Sequence, residues 1–108
     1  RARRALQTLV DVALLPYPPP GETGISKFVA ACGPIIARHG LTSHTHSWGT
    51  NIEGDWDKVM LAVRECHEKA HELGCERVVS SWRVETGSKA GISSTMSRLA
   101  KAKASRAE

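Results

Sequence analysis

The run Gly49-Thr50-Asn51-Ile52-Glu53-Gly54-Asp55-Trp56-Asp57-Lys58-Val59-Met60 passes from a strand pattern to a helix pattern within a few residues, so one strand must end directly against the start of a helix. Thr50 and Ile52 alternate as a strand. Gly54 permits a turn geometry that other residues resist, and Asp55 can accept a hydrogen bond from the first free N–H groups of the helix. Trp56, Val59, Met60, Val63, Cys66, His67, Ala70 and Leu73 then recur at helical spacing, with Gly74 at a C-cap position. The spacing assigns Trp56 to the core. Capping accounts for Asp55 without any ligand.

Around this junction the other segments fall into order. Thr8 to Leu15 is apolar on both faces apart from Asp11, which predicts a strand in the middle of a sheet. A loop from Pro16 to Gly21 follows, and Ser26 offers an N-cap for a helix that reaches about His39 and stops at Gly40. Pro34 removes one hydrogen bond inside that helix, which predicts a kink near Ala30 to Gly33 or a helix in two pieces. Ser43 to Trp48 alternates Ser43, Thr45 and Ser47 with His44, His46 and Trp48, the pattern of a strand with two differently dressed faces. Arg77 to Glu85 reads as the last strand, with Val78, Trp82 and Val84 on one face.

The sequence therefore predicts an α+β fold, a ferredoxin-like βαββαβ sandwich with two helices on one face of a four-stranded antiparallel sheet. Residues 8–86 form the domain, 1–7 a basic N-terminal segment, and 87–108 a Ser- and Lys-rich tail with a weak helix over 93–103. The uncovered sheet face carries Leu9, Ala13 and Leu15 or their alternates. Apolar surface of that kind usually marks an interface, so a homo-oligomer built through the sheet is expected.

Lys and Arg number 15 against 11 acidic residues, a formal net charge of +4. Arg1, Arg3, Arg4, Lys101, Lys103 and Arg106 hold much of the excess near the two ends, so the centre is close to neutral. That distribution argues against a nucleic-acid groove. The 3 cysteines show no CxxC spacing and fit reduced thiols. No apolar run approaches the ~20 residues of a membrane span. Cytoplasm is the expected compartment, with the mitochondrial matrix as the alternative that the Arg-rich, acid-free opening suggests.

Few residues form a catalytic pattern. His67-Glu68-Lys69-Ala70-His71 matches H-E-x-x-H on a helix, but a zinc site needs a third ligand and a substrate cleft, and the apolar stripe runs through His67. Gly21 to Gly24 lacks the Lys-Ser/Thr ending of a phosphate loop. Cys66 cannot pair with the adjacent His67 on a helix, and Ser80 and Ser81 lack an evident base. No enzyme activity and no metal are expected.

The run from Gly49 to Met60, with Cys66-His67-Glu68 and Gly74-Cys75-Glu76-Arg77-Val78, resembles the small thiamine-binding protein family, once an uncharacterised family, whose members read G-T-x-x-E-G-D-W-D-x-V-M, C-H-E and G-x-x-R-V. The likeness spans roughly residues 9 to 85 and includes Ile25 to Val29. Prolines 18 to 20 and Pro34 depart from the family pattern. The resemblance implies a ferredoxin-like subunit, a tetramer assembled as a dimer of dimers, no established catalysis, and binding of thiamine or its hydroxymethylpyrimidine moiety as ligand, with no further cofactor.

An aminopyrimidine offers a donor amine, acceptor ring nitrogens and a flat face, so a site needs a carboxylate or carbonyl, a hydroxyl and an aromatic wall. Glu53, Thr50 or Ser47, and Trp48 are the candidates, with cation–π attraction from Trp48 to a thiazolium. Such a protein would act as carrier, buffer or sensor. The alternative is a regulatory or oligomerising module for another small ligand or protein.

Overall fold

In a computed structural model, which describes residues 5–19 and 24–87, the elements follow the expected order: β1 (Gln7–Tyr17), α1 (Ile25–Arg38), β2 (Thr42–His46), β3 (Gly49–Asp55), α2 (Trp56–Glu72) and β4 (Arg77–Gly87). The strands form one antiparallel sheet ordered β2-β3-β1-β4. This is the ferredoxin-like sandwich. The basic start through Arg4, Pro20 with Gly21, and the tail after Gly87 with its 93–103 helix lie outside the described residues.

Side-chain parity on β1 separates the two faces of the sheet. Thr8, Val10, Val12 and Pro16 are buried under the helices, so Leu9, Asp11, Ala13, Leu15 and Tyr17 project from the other face. Registry carries the split across the sheet. Val12 lies opposite Thr50 and Trp82, and Val10 opposite Ile52 and Val84. Val78, Ser80, Trp82 and Val84 therefore face the helices, as the sequence pattern indicates.

Helix α2 is framed by its own ends. The Asp55 carboxylate accepts from the Asp57 N–H at 3.1 Å, while the Trp56 N–H donates to the Leu6 carbonyl at 3.0 Å and ties the helix start to the strand beside it. At the other end the N–H of Gly74 donates to His71 and that of Cys75 to Ala70, each at 3.0 Å. With Gly74 at φ +95° this is a Schellman ending, and only glycine takes that backbone conformation cheaply. The buried stripe of α2 is Val59, Ala62, Val63, Cys66 and Ala70. Trp56, expected in the core, is instead half-buried, because the first helical residue sits at the margin of the layer.

Two expectations for the first helix are corrected. It begins after Gly24, which makes no side-chain cap, rather than at a Ser26 cap, and Pro34 lies inside one continuous helix. Proline is tolerated there because Ala30, the residue whose carbonyl loses its partner, is exposed and open to water along with Pro34. Pro16 and Tyr17, expected in the following loop, instead extend β1, since both pair with β4, opposite Val78 and Arg77. Phe28, Cys32, Ile35 and Ile36 form the buried face of α1.

On the helix side of β4, the Trp82 Nε1–H donates to Ser80 Oγ at 2.8 Å, and Ser80 Oγ lies 2.9 Å from His67 Nε2. Burial, and then the neighbouring His71, push the His67 pKa below its ordinary 6.5. The unfolded chain thus takes up this proton more readily than the folded one. His67 contributes its full stability above the unfolded value and loses it as pH falls toward the lower folded value. Urea midpoints are expected to drop from about pH 7 to about pH 5, and His67→Gln to lessen that drop; an identical drop in the variant would discard this assignment. A second test concerns Gly49, where an added Cβ would stand 2.7 Å from the Val12 carbonyl oxygen. Backbone cannot yield as a side chain does, so Gly49→Ala should cost about 1–3 kcal/mol in urea unfolding, and an unchanged midpoint would contradict that close approach.

Candidate ligand-binding cavity

The β2–β3 hairpin closes tightly. His46 pairs with Gly49, which leaves Ser47 and Trp48 as the turn. His46 braces it from the open face: Nε2 lies 2.6 Å from Asp11 Oδ1, and Nδ1 accepts from the Trp48 N–H at 3.2 Å. Those two contacts set the tautomer, with Nε2–H donating to Asp11. The Trp48 ring is held out from the body of the fold, 88% exposed.

Beneath this turn, between the sheet and α1, is a cavity of about 290 Å³. Phe28, Cys32, Ile52 and Cys66 form part of its apolar wall, while Thr45, Ser47 and Thr50 bring hydroxyl-bearing residues to it and Trp48 stands at its edge. Lys, Arg, Asp and Glu are missing from its lining among the described residues. The strand ladder explains why the space exists. β1 pairs with β3 only as far as Val12, opposite Thr50, but continues against β4 to Tyr17. Ala13, Leu14 and Leu15, which also line the cavity, have no strand partner on the β3 side among the described residues. Backbone donors and acceptors along that edge are available to a ligand.

Ser47, Trp48 and Thr50, three of the four residues proposed from the sequence, meet at this cavity. Glu53 does not. It pairs with Leu9 and Thr42, and three residues along a strand from Thr50 it projects from the opposite face of the sheet. Sequence reasoning grouped the two through their nearness in the chain. Thr45, the cross-strand neighbour of Thr50, was visible only as one of an alternating set of hydroxyls. Cys66 falls on the apolar stripe of its helix and Cys32 reads only as a reduced thiol, and nothing in their spacing announces a shared cavity wall.

The H-E-x-x-H pattern resolves into separate structural contacts. His67 contacts Ser80, while His71 Nδ1 lies 2.8 Å from the Cys75 carbonyl. No group of three or more metal-ligating side chains occurs among the described residues. Away from the cavity, Glu65 on α2 meets both His39 Nε2 and Arg38 Nη2 at 2.8 Å. Hydrogen bonding from His39, then Arg38, holds its carboxyl below the usual range. This surface contact joins the end of α1 to α2. No helix among the described residues is long and apolar enough to cross a membrane.

Comparison with known proteins places this geometry in a family. A UPF0045 protein of Synechocystis is 43% identical over 88 residues, covering 80% of this chain and 69% of that protein. A UPF0045 protein of Eremothecium gossypii is 38% identical over 81 residues, covering 75% and 76%. Among solved structures, a hypothetical protein of Methanocaldococcus jannaschii aligns with a TM-score of 0.71 at 26% identity, covering 91% of this chain and 98% of that one. A Thermotoga maritima protein, provisionally named for thiamine biosynthesis or salvage, shares the fold with a TM-score of 0.66 at 18% identity over 86% of this chain and 98% of its own. The family model described as thiamine-binding protein matches residues 10–102, and the chain belongs to that family.

Proposed function

We propose that the cavity under the β2–β3 turn binds thiamine or its hydroxymethylpyrimidine moiety without chemical conversion, so that the protein serves as carrier, buffer or sensor. The observation that carries this reading is the composition of the cavity: an apolar wall, hydroxyls at Thr45, Ser47 and Thr50, a strand edge unpaired among the described residues, and an exposed indole beside it. A neutral aminopyrimidine fits such a lining. Its ring slides between Phe28 and the sheet, while Thr50 and the free edge of β1 meet its nitrogens and amine. The thiazolium of thiamine then remains near the mouth, where the Trp48 face attracts a cation and water still solvates it. Membership of a thiamine-binding family and the name of the Thermotoga maritima protein support the choice of ligand.

Isothermal titration of the full chain with thiamine and with hydroxymethylpyrimidine tests this directly. Saturable binding at one site per chain is expected, and a micromolar constant would correspond to about 8 kcal/mol. Thr50→Ala should weaken it about 2- to 12-fold, the loss of one hydrogen bond of about 0.5–1.5 kcal/mol. Glu53→Gln should leave affinity unchanged, since Glu53 faces away from the cavity. No heat with either compound would favour the alternative, a regulatory module for another ligand.

The same reading includes assembly through the open sheet face. Leu15, Tyr17 and Val79 are 43%, 42% and 43% exposed there, an apolar strip that a single chain leaves in water. A homotetramer arranged as a dimer of dimers, in cytoplasm or mitochondrial matrix and without nucleic-acid or membrane partners, covers it. Light scattering should give about four times the 11.7 kDa chain mass, and a monomer mass would refute assembly without touching the ligand reading.

A further inference from the structure

The cavity wall holds two of the chain's three cysteines. Cys32 comes from α1 and Cys66 from α2, so two facing helices each present a thiol to one space. Both are free and buried, at 6% and 1% exposure, yet the cavity they line reaches the turn at Ser47 and Trp48. The third, Cys75, is equally buried but lies past the end of α2 and takes no part in the lining. The two thiols also interact. Hydrogen bonding with Cys66 raises the Cys32 pKa, and the same contact lowers that of Cys66 against the opposing effect of burial. Burial alone would raise both, so the hydrogen bond makes Cys66 the more readily ionised of the two.

We propose that Cys32 and Cys66 are an oxidative modification site, a dithiol that a small peroxide entering the cavity converts to a disulfide between α1 and α2. Cys66 is the attacking sulfur. Its thiolate takes one oxygen from the peroxide, the O–O bond breaks, and the departing hydroxide picks up a proton to leave as water. Cys66 is then a sulfenic acid. The Cys32 sulfur attacks Cys66, the S–S bond forms as the S–O bond breaks, and a second water leaves with the Cys32 proton. Two thiols have given up two electrons and two protons, and one peroxide has become two waters. A small thiol reverses the change by exchange, ending as its own disulfide. Size selects the oxidant: a peroxide fits a cavity of about 290 Å³ that excludes another protein's disulfide.

Peptide mapping of the full chain after hydrogen peroxide treatment, denaturation and alkylation tests the site. Alkylatable thiols should fall from three to one per chain. The lost pair should appear as a Cys32–Cys66 cross-link within one chain, lighter by two hydrogens, and dithiothreitol should restore it. Cys75→Ser should give the same cross-link, and Cys66→Ser should abolish it. Three thiols still alkylatable, a cross-link through Cys75 or between chains, or Cys66 over-oxidised with Cys32 still free would each overturn the proposal. The outcome does not depend on the ligand reading, because the protein is treated without ligand and the mass of each peptide is read directly.

Discussion

Strand β1 is hydrogen-bonded along both edges, and every other element takes its place from that arrangement. It pairs with β3 from Gln7 to Val12 and with β4 from Gln7 to Tyr17. A strand in this position has its backbone groups satisfied only if both neighbours keep register. Its alternation commits Thr8, Val10 and Val12 to the core at 0%, 0% and 2% exposure. A slip of one residue would exchange these for Leu9 and Asp11 and bring a carboxylate under the helices. The penalty for slipping fixes β1, and β1 in turn fixes which face of β3 and β4 the helices can cover.

The cavity is a consequence of unequal pairing on the two edges. Because β3 leaves β1 at Val12 and turns through Trp48 into β2, the cavity is lined by α1 and by a stretch of β1 that has no strand partner on the β3 side among the described residues. Close approach sharpens the turn. Gly49 sits so near the Val12 carbonyl that a methyl group has no space, while His46, anchored to Asp11, holds the turn backbone through the Trp48 N–H. The residues of the long sequence motif thus serve two ends. Gly49 and Thr50 shape the cavity, and Asp55 and Trp56 start α2 and tie it to Leu6.

The fold was legible because its signals are local. Alternation in β1, the stripe of α2 and the glycine at φ +95° after it can each be read from a short stretch of chain. Pro34 misled for the opposite reason: its cost depends on whether the Ala30 carbonyl faces water, which only tertiary structure decides. The lining of the candidate cavity was half legible. Ser47, Trp48 and Thr50 are neighbours in sequence and in space, so proximity in the chain sufficed. Glu53 is close in sequence and on the far face, a distinction that rests on counting parity from Thr50 and that nearness within the motif hides. Cys32 and Cys66 stand 34 positions apart, and their meeting is a property of helix packing alone.

A cavity with no Lys, Arg, Asp or Glu in its lining among the described residues constrains what can enter. Moving an ion from water into an apolar space costs several kcal/mol or more unless a partner charge or several hydrogen bonds meet it. Among the described residues, the only groups in the wall that can ionise are His46, whose ring is engaged with Asp11 and the turn, and the two thiols. A ligand that is neutral at its buried end and charged at its outer end resolves the conflict, because each part then lies in a medium that suits it. The same argument explains the dithiol. An isolated thiolate in that wall would be as costly as any buried ion, and hydrogen bonding with Cys32 lowers the Cys66 pKa against that burial, so the proposed oxidation draws on both cysteines.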